Sequence, residues 1–103
     1  MDEAAKERLV EIAGAIEKFR QLDSQEQEWL YPLLSRNVKT TLEILDAISG
    51  KMKSFEEIAL LVGLHPHTVS EKLNALAQGG VSINMTATGA VARTGRPRKL
   101  ARR

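Results

Sequence analysis

The 103-residue chain contains no cysteine. Disulfides and thiolate metal ligands are therefore excluded, and an intracellular, cytoplasmic location is the expectation. Nor does any apolar run approach the ~20 residues that a membrane-spanning helix needs, so no membrane partner is expected. The first residues, Met1, Asp2 and Glu3, are acidic where a secretory leader would be basic and then apolar. Acids are scarce in the second half: from His65 onward there is one, Glu71, against seven bases. Residues 1–34 are the reverse, with eight acids and four bases. An acidic head and a basic tail point to a polyanion as the partner of the tail. The overall balance, 43% hydrophobic and 27% charged, is that of one globular domain with a modest core.

Residues 2–22 read as one helix, with Asp2 and Glu3 suited to the positive end of its dipole. Ala5, Leu9, Ile12, Ile16 and Phe19 recur at heptad spacing. Such a seam packs on its own domain or pairs with the same helix of a second chain. Pairing is the expectation, with Leu9, Ile12, Ile16 and Phe19 as the dimer contacts. Asp23-Ser24 with Glu26 and Gln27 resembles a capping box, opening a helix that carries Trp29, Leu30, Leu33 and Leu34 and breaks near Pro32. Asn37 suits the cap of a third helix, with Leu42, Leu45 and Ile48 on one face and Gly50 at its end.

Lys51-Met52-Lys53 has the length of a short sheet edge. Ser54 with Glu57 forms a second capping box, starting a helix that stops at Gly63. Pro66 and Thr68 start another, which runs to Gln78 and stops at Gly79-Gly80. Val81, Ile83 and Met85 then alternate with polar residues, the period of a half-buried strand. Thr88-Gly89 and Thr94-Gly95 signal turns, and Arg98–Ala101 would supply the returning strand.

A short helix, a tight glycine-containing turn and a second helix make a helix-turn-helix. Ile58, Ala59 and Val62 would face the core from the first helix, Leu64 would plug the turn, and Val69, Leu73 and Leu76 would hold the second helix down. The stretch "SFEEIALLVGLHPHTVSEKLNALAQGG", followed by a hairpin ending "TGRPRKL", resembles the winged helix-turn-helix transcriptional regulators of the broad ArsR and MarR type. The resemblance spans residues 37–103; residues 1–36 have no counterpart in it and read as a helical extension for dimerisation. It implies a mainly α fold with a small β-hairpin (α+β). It also implies a homodimeric binder of double-stranded DNA, whose second helix enters the major groove. Half-sites would lie about one helical turn, ~34 Å, apart.

With Val69, Leu73 and Leu76 buried, a helical wheel puts His67, Glu71, Asn74 and Gln78 opposite them, with Thr68 and Ser70 at the flank. The expected DNA contacts of this helix are therefore His67, Thr68, Ser70, Glu71, Lys72 and Asn74. Glu71 either accepts from a cytosine amine or repels phosphate. His65 belongs to the turn, and Pro66 fits the first turn because its missing N–H has no use there. A His-x-His metal site lacks a third ligand at suitable spacing, and no nucleophile or paired acid accompanies the histidines. No metal, cofactor, small-molecule substrate or enzymatic activity is expected.

In the wing, Arg93, Arg96, Arg98 and Lys99 surround Gly95-Arg96-Pro97, which resembles the core of an AT-hook. Arginines there would enter a narrow A·T-rich minor groove or touch phosphates alone. One departure from the family is Leu60-Leu61, where polar residues are usual. Bare leucines there would make an apolar patch, so the N-terminal helices of the same or a partner chain are expected to cover it. A protein–protein scaffold is the alternative function.

Overall fold

The computed structural model describes residues 2–93, which form five helices and a small sheet. In chain order these are α1 (Glu3–Arg20), α2 (Ser24–Leu30), a 3₁₀ turn (Tyr31–Leu33), α3 (Arg36–Ala47), β1 (Lys53–Ser54), α4 (Phe55–Val62), α5 (Pro66–Gln78), β2 (Ile83–Met85) and β3 (Gly89–Ala92). The class is mainly α with a small antiparallel sheet, as expected from the sequence.

Each helix starts where a side chain satisfies its free N–H groups. Asp2 Oδ1 accepts from Ala5 N–H, and Asp23 forms a reciprocal capping box with Glu26. The cap of α3 is Ser35, whose Oγ accepts from Val38 N–H, rather than Asn37. Asn37 lies inside that helix and has a different partner. Pro32 does interrupt the second helix, which passes into the 3₁₀ turn at Tyr31. Beyond it Gln27 reaches back, its Nε2 donating to the carbonyls of Phe19 and Arg20 at the end of α1.

The sheet order is β1-β3-β2, antiparallel throughout, with Ser54 opposite Gly89 and Asn84 opposite Val91. The returning strand is thus Gly89–Ala92, earlier than Arg98–Ala101, because the chain reverses at once through Thr86–Gly89. Thr86 and Gly89 exchange backbone and side-chain hydrogen bonds there. Thr94, Gly95 and Arg98–Ala101 lie outside the described residues. The end of β3 is also tied to the end of α3: Ala92 N–H donates to Ile48 O, and Gly50 N–H donates to Ala92 O, both at 2.8 Å.

One buried cluster runs through the whole assembly, from Leu9, Ala13 and Ile16 of α1 to Ile44, Leu45, Leu73 and Leu76 and on to Ala90 and Ala92. The residues expected to form a dimer seam also take part in this core. Leu9 and Ile16 are buried in their own chain, and Ile12 and Phe19 pack against the same cluster. Among the described residues the seam meets α5, with Val10, Ile12 and Phe19 only partly buried. The same cluster crosses the expected division at residue 36, so the extension and the remainder share one core.

Candidate functional site

The helix-turn-helix segment is built by local chemistry. Ser54 Oγ accepts from Glu57 N–H at 3.1 Å, and Ser54 N–H donates to Glu57 Oε1 at 3.0 Å. That backbone hydrogen bond holds the Glu57 carboxyl below the usual carboxylate range. Gly63 ends α4 at φ +73°, a left-handed conformation that a side chain would strain. His65 then caps α5: its Nδ1 accepts from the backbone N–H of His67 at 3.1 Å. Pro66 occupies the first helical turn. The pair of histidines thus divides into a cap and an exposed side chain. Among the described residues, no group of three or more His, Asp or Glu side chains is placed to hold a metal ion.

The outer stripe of α5 carries His67, Asn74 and Gln78, all exposed, with Ser70 and Glu71 half-buried beside them. Thr68 is half-buried as well. His67 Nε2 lies 3.5 Å from Glu71 Oε2, and Lys6 Nζ of α1 lies 3.4 Å from the same oxygen. Glu71 is therefore bonded to α1. Asn74 Nδ2 donates back to Ser70 O at 3.0 Å, which fixes its side chain along the helix. Of the six residues expected on this face, His67, Ser70, Glu71 and Asn74 come together.

Lys72 does not join them. It is 6% exposed, and its Nζ donates to Asn37 Oδ1 of α3 at 2.7 Å. Burial lowers the pKa of its ammonium below the ordinary lysine value. The residue belongs to the α3–α5 contact, because it follows Val69 by three positions and so shares the inward face. Replacing it with methionine should raise stability at neutral pH by about 1 kcal/mol, since a desolvated cation with a single neutral partner is exchanged for an apolar chain of similar length. The sign with pH follows from the lowered pKa. Between the folded and unfolded pKa values the unfolded state binds more protons, so wild-type stability rises with pH and the gap to Lys72→Met narrows. Urea denaturation of both proteins at neutral pH and near pH 10 measures it; a variant less stable than wild type at neutral pH would refute the account.

Along one side of the stripe, α1 and α5 enclose an open cleft of about 600 Å³. Its floor is Val10 and the buried Ala75, and Glu3, Glu7 and Glu11 of α1 line it opposite Asn74 and Gln78. Among the described residues none of these three glutamates has an ion-pair partner, whereas Lys6 is engaged by Glu71. Past the end of α5, Gly79 lets the two segments approach closely; a Cβ there would fall 2.5 Å from both Ala13 Cβ and Val10 O. Heptad spacing in α1 reveals an apolar seam but not its partner, so the sequence carried no sign that acids would stand beside α5.

At the far end of α1, Arg20 is 5% exposed. Its guanidinium donates to Glu17 Oε1 at 2.9 Å, to Ser49 Oγ at 3.2 Å and to the carbonyl of Arg93 at 2.6 Å. The side chain of Arg93 is exposed at the end of β3, and the other expected wing residues, Arg96, Arg98 and Lys99, lie outside the described residues. Leu60 and Leu61 are 86% and 64% exposed, so no helix among the described residues covers them. No helix among the described residues is long and apolar enough to cross a membrane. No family model, curated protein or solved structure matches this chain.

Proposed function

We propose that this chain is a winged helix-turn-helix protein that binds double-stranded DNA and acts as a small transcriptional regulator in the cytoplasm. What supports the reading is one arrangement: helix, strand, helix, turn, helix and hairpin in order, with β3 between β1 and β2. In that arrangement α5 offers a polar stripe and its N-terminal turn, and the basic segment begins where β3 ends. His67, Ser70 and Asn74 are the base-reading candidates; Thr68 and the backbone at the start of α5 suit phosphates. Glu71, bonded to Lys6, borders the site on its acidic side. There it turns phosphate away and sets the approach of the duplex from the His65–Ser70 end. Arg93, Arg96, Arg98 and Lys99 supply the attraction to the backbone or the minor groove. No catalytic role or cofactor is part of this reading.

A homodimer remains part of the proposal, on surfaces other than the α1 seam. Among the described residues the exposed Leu60 and Leu61, or Trp29 and Leu33 at 69% and 78% exposure, offer apolar surface for it. The same surfaces favour the second reading, a subunit that docks on another protein.

Fluorescence anisotropy with random, A·T-rich and selected duplexes across a salt series distinguishes the two. DNA recognition requires a selected site bound at least ~1,000-fold more tightly than random duplex. His67→Ala or Asn74→Ala should erode that ratio by about 1–3 kcal/mol per lost base contact, roughly 5- to 150-fold, while Arg96→Ala should lower affinity on all sequences and reduce the salt slope by about one. Weak binding that disappears near physiological salt, with no response to His67 or Asn74, would leave the docking subunit.

A further inference from the structure

The acidic cleft between α1 and α5 faces a question of occupancy. Three glutamates, Glu3, Glu7 and Glu11, stand on successive turns of one face, four residues apart. None forms an ion pair among the described residues; Lys6, which also lines the cleft, pairs with Glu71, and the three glutamates flank the apolar Val10 and Ala75. A groove of that kind suits an extended cationic segment, whose methylene stems cover the floor while its charged heads meet the rim.

The same chain provides one. Residues 94–103, TGRPRKLARR, carry five bases and no acid. Their point of departure is set by the buried Arg20, which holds the Arg93 carbonyl at 2.6 Å and so delivers the chain to the C-terminal end of α1. From Arg20 back to Glu11 is nine residues of helix, about 14 Å, and back to Glu3 about 26 Å. Ten extended residues reach about 33 Å. The segment therefore has the length to run back along α1 as far as Glu3.

We propose that residues 94–103 dock in the α1–α5 cleft of their own chain, with the arginines paired to Glu3, Glu7 and Glu11. Tethering keeps the effective concentration of the segment near millimolar, so several weak surface pairs act together. If the DNA reading above holds, the cleft and the duplex compete for the same bases. Docking then withholds the basic arm from weak polyanions and releases it to a duplex that also engages α5. The docking does not depend on that reading.

The absence of cysteine permits a direct test on the full chain. A nitroxide spin label on Ala101→Cys should broaden the amide resonances of Glu7–Glu11 and Asn74–Gln78 several-fold at low ionic strength. Near 0.5 M salt, where the Debye length is about 4 Å, the broadening should vanish. It should also vanish when Glu3, Glu7 and Glu11 are changed together to glutamine. A second route leaves the folded part untouched: Arg98→Gln with Arg102→Gln and Arg103→Gln should have the same effect. Unchanged intensities in the labelled wild type, or broadening that survives both sets of substitutions, would overturn the docking. So would broadening found only when spin-labelled chains are mixed with unlabelled, isotope-enriched ones, which would assign the arm to a second copy. Adding duplex DNA examines the competition separately. Broadening that disappears supports competition, and broadening that persists while DNA binds overturns it and leaves the docking in place. A chain that docks its arm but binds no duplex would fail only the DNA reading.

Discussion

Gly79→Ala should lower the unfolding free energy by about 2–3 kcal/mol, the cost of overpacking a close contact. Backbone conformation is not the reason, because Gly79 has φ −85°, which alanine adopts readily. The obstacle is α1. An added Cβ would meet the side chain of Ala13, wholly buried, and the carbonyl oxygen of Val10 at 2.5 Å. Neither is the flexible end of a long side chain. Relief requires the two helices to separate, which loosens the packing of Leu9, Ala13 and Ile16 together. Gly14→Ala, within α1, gives the contrasting case. Nothing lies within 4 Å of its added Cβ, and an exposed helical glycine is destabilising by roughly 0.5–1 kcal/mol relative to alanine. Gly79→Ala should therefore destabilise and Gly14→Ala stabilise, with urea midpoints moving in opposite directions. A Gly79→Ala protein as stable as wild type would show that α1 does not pack this closely on α5.

Arg20→Ala is the second large effect, expected to cost about 2–3 kcal/mol. A guanidinium 5% exposed serves three acceptors on three elements: Glu17 in its own helix, Ser49 after α3, and the backbone of Arg93 after β3. Its removal leaves the Arg93 carbonyl without that donor and the Glu17 carboxylate without its cation. Arg20→Lys should recover little, since one ammonium cannot present the fork that reaches both Glu17 and Arg93. Chemical denaturation gives the magnitude. Amide exchange locates it: Gly50 N–H, which bonds Ala92 O, should exchange faster in the variant, while amides within α4 change only through global stability. Equal protection at Gly50 in both proteins would argue that Arg20 does not anchor the end of β3.

Much of the fold was legible because it is written in short-range chemistry. Capping boxes at Asp23 and Ser54, the left-handed Gly63 and Pro66 at the start of α5 each act within four residues, so their outcome shows in sequence spacing. Spacing alone does not separate Ser35 from Asn37 as the cap of α3, since both residue types cap helices and only two positions separate them. The position of the returning strand is ambiguous in sequence because two Thr-Gly pairs compete as turns, and only pairing with Ile83–Met85 selects the earlier one.

The candidate site was legible to a lesser degree. The outward stripe of His67 and Asn74 follows from helix period once Val69, Leu73 and Leu76 are taken as buried. Lys72 sits at the edge of that wheel, where charge argues for solvent and position argues for the interior; position prevailed because Asn37 of α3 offers an acceptor at 2.7 Å. Periodicity reports that α1 has an apolar face, while its partner depends on which surface is open at the distance the loops allow. That surface is α5, which begins forty-six residues after α1 ends and comes close to it at Gly79, where there is no side chain. Local spacing thus settled where this chain bends into helices and strands. The seating of the Glu3, Glu7 and Glu11 face of α1 beside the polar stripe of α5, and the burial of Arg20 and Lys72, came from long-range packing, because the groups that meet there are far apart in sequence and leave no periodic trace.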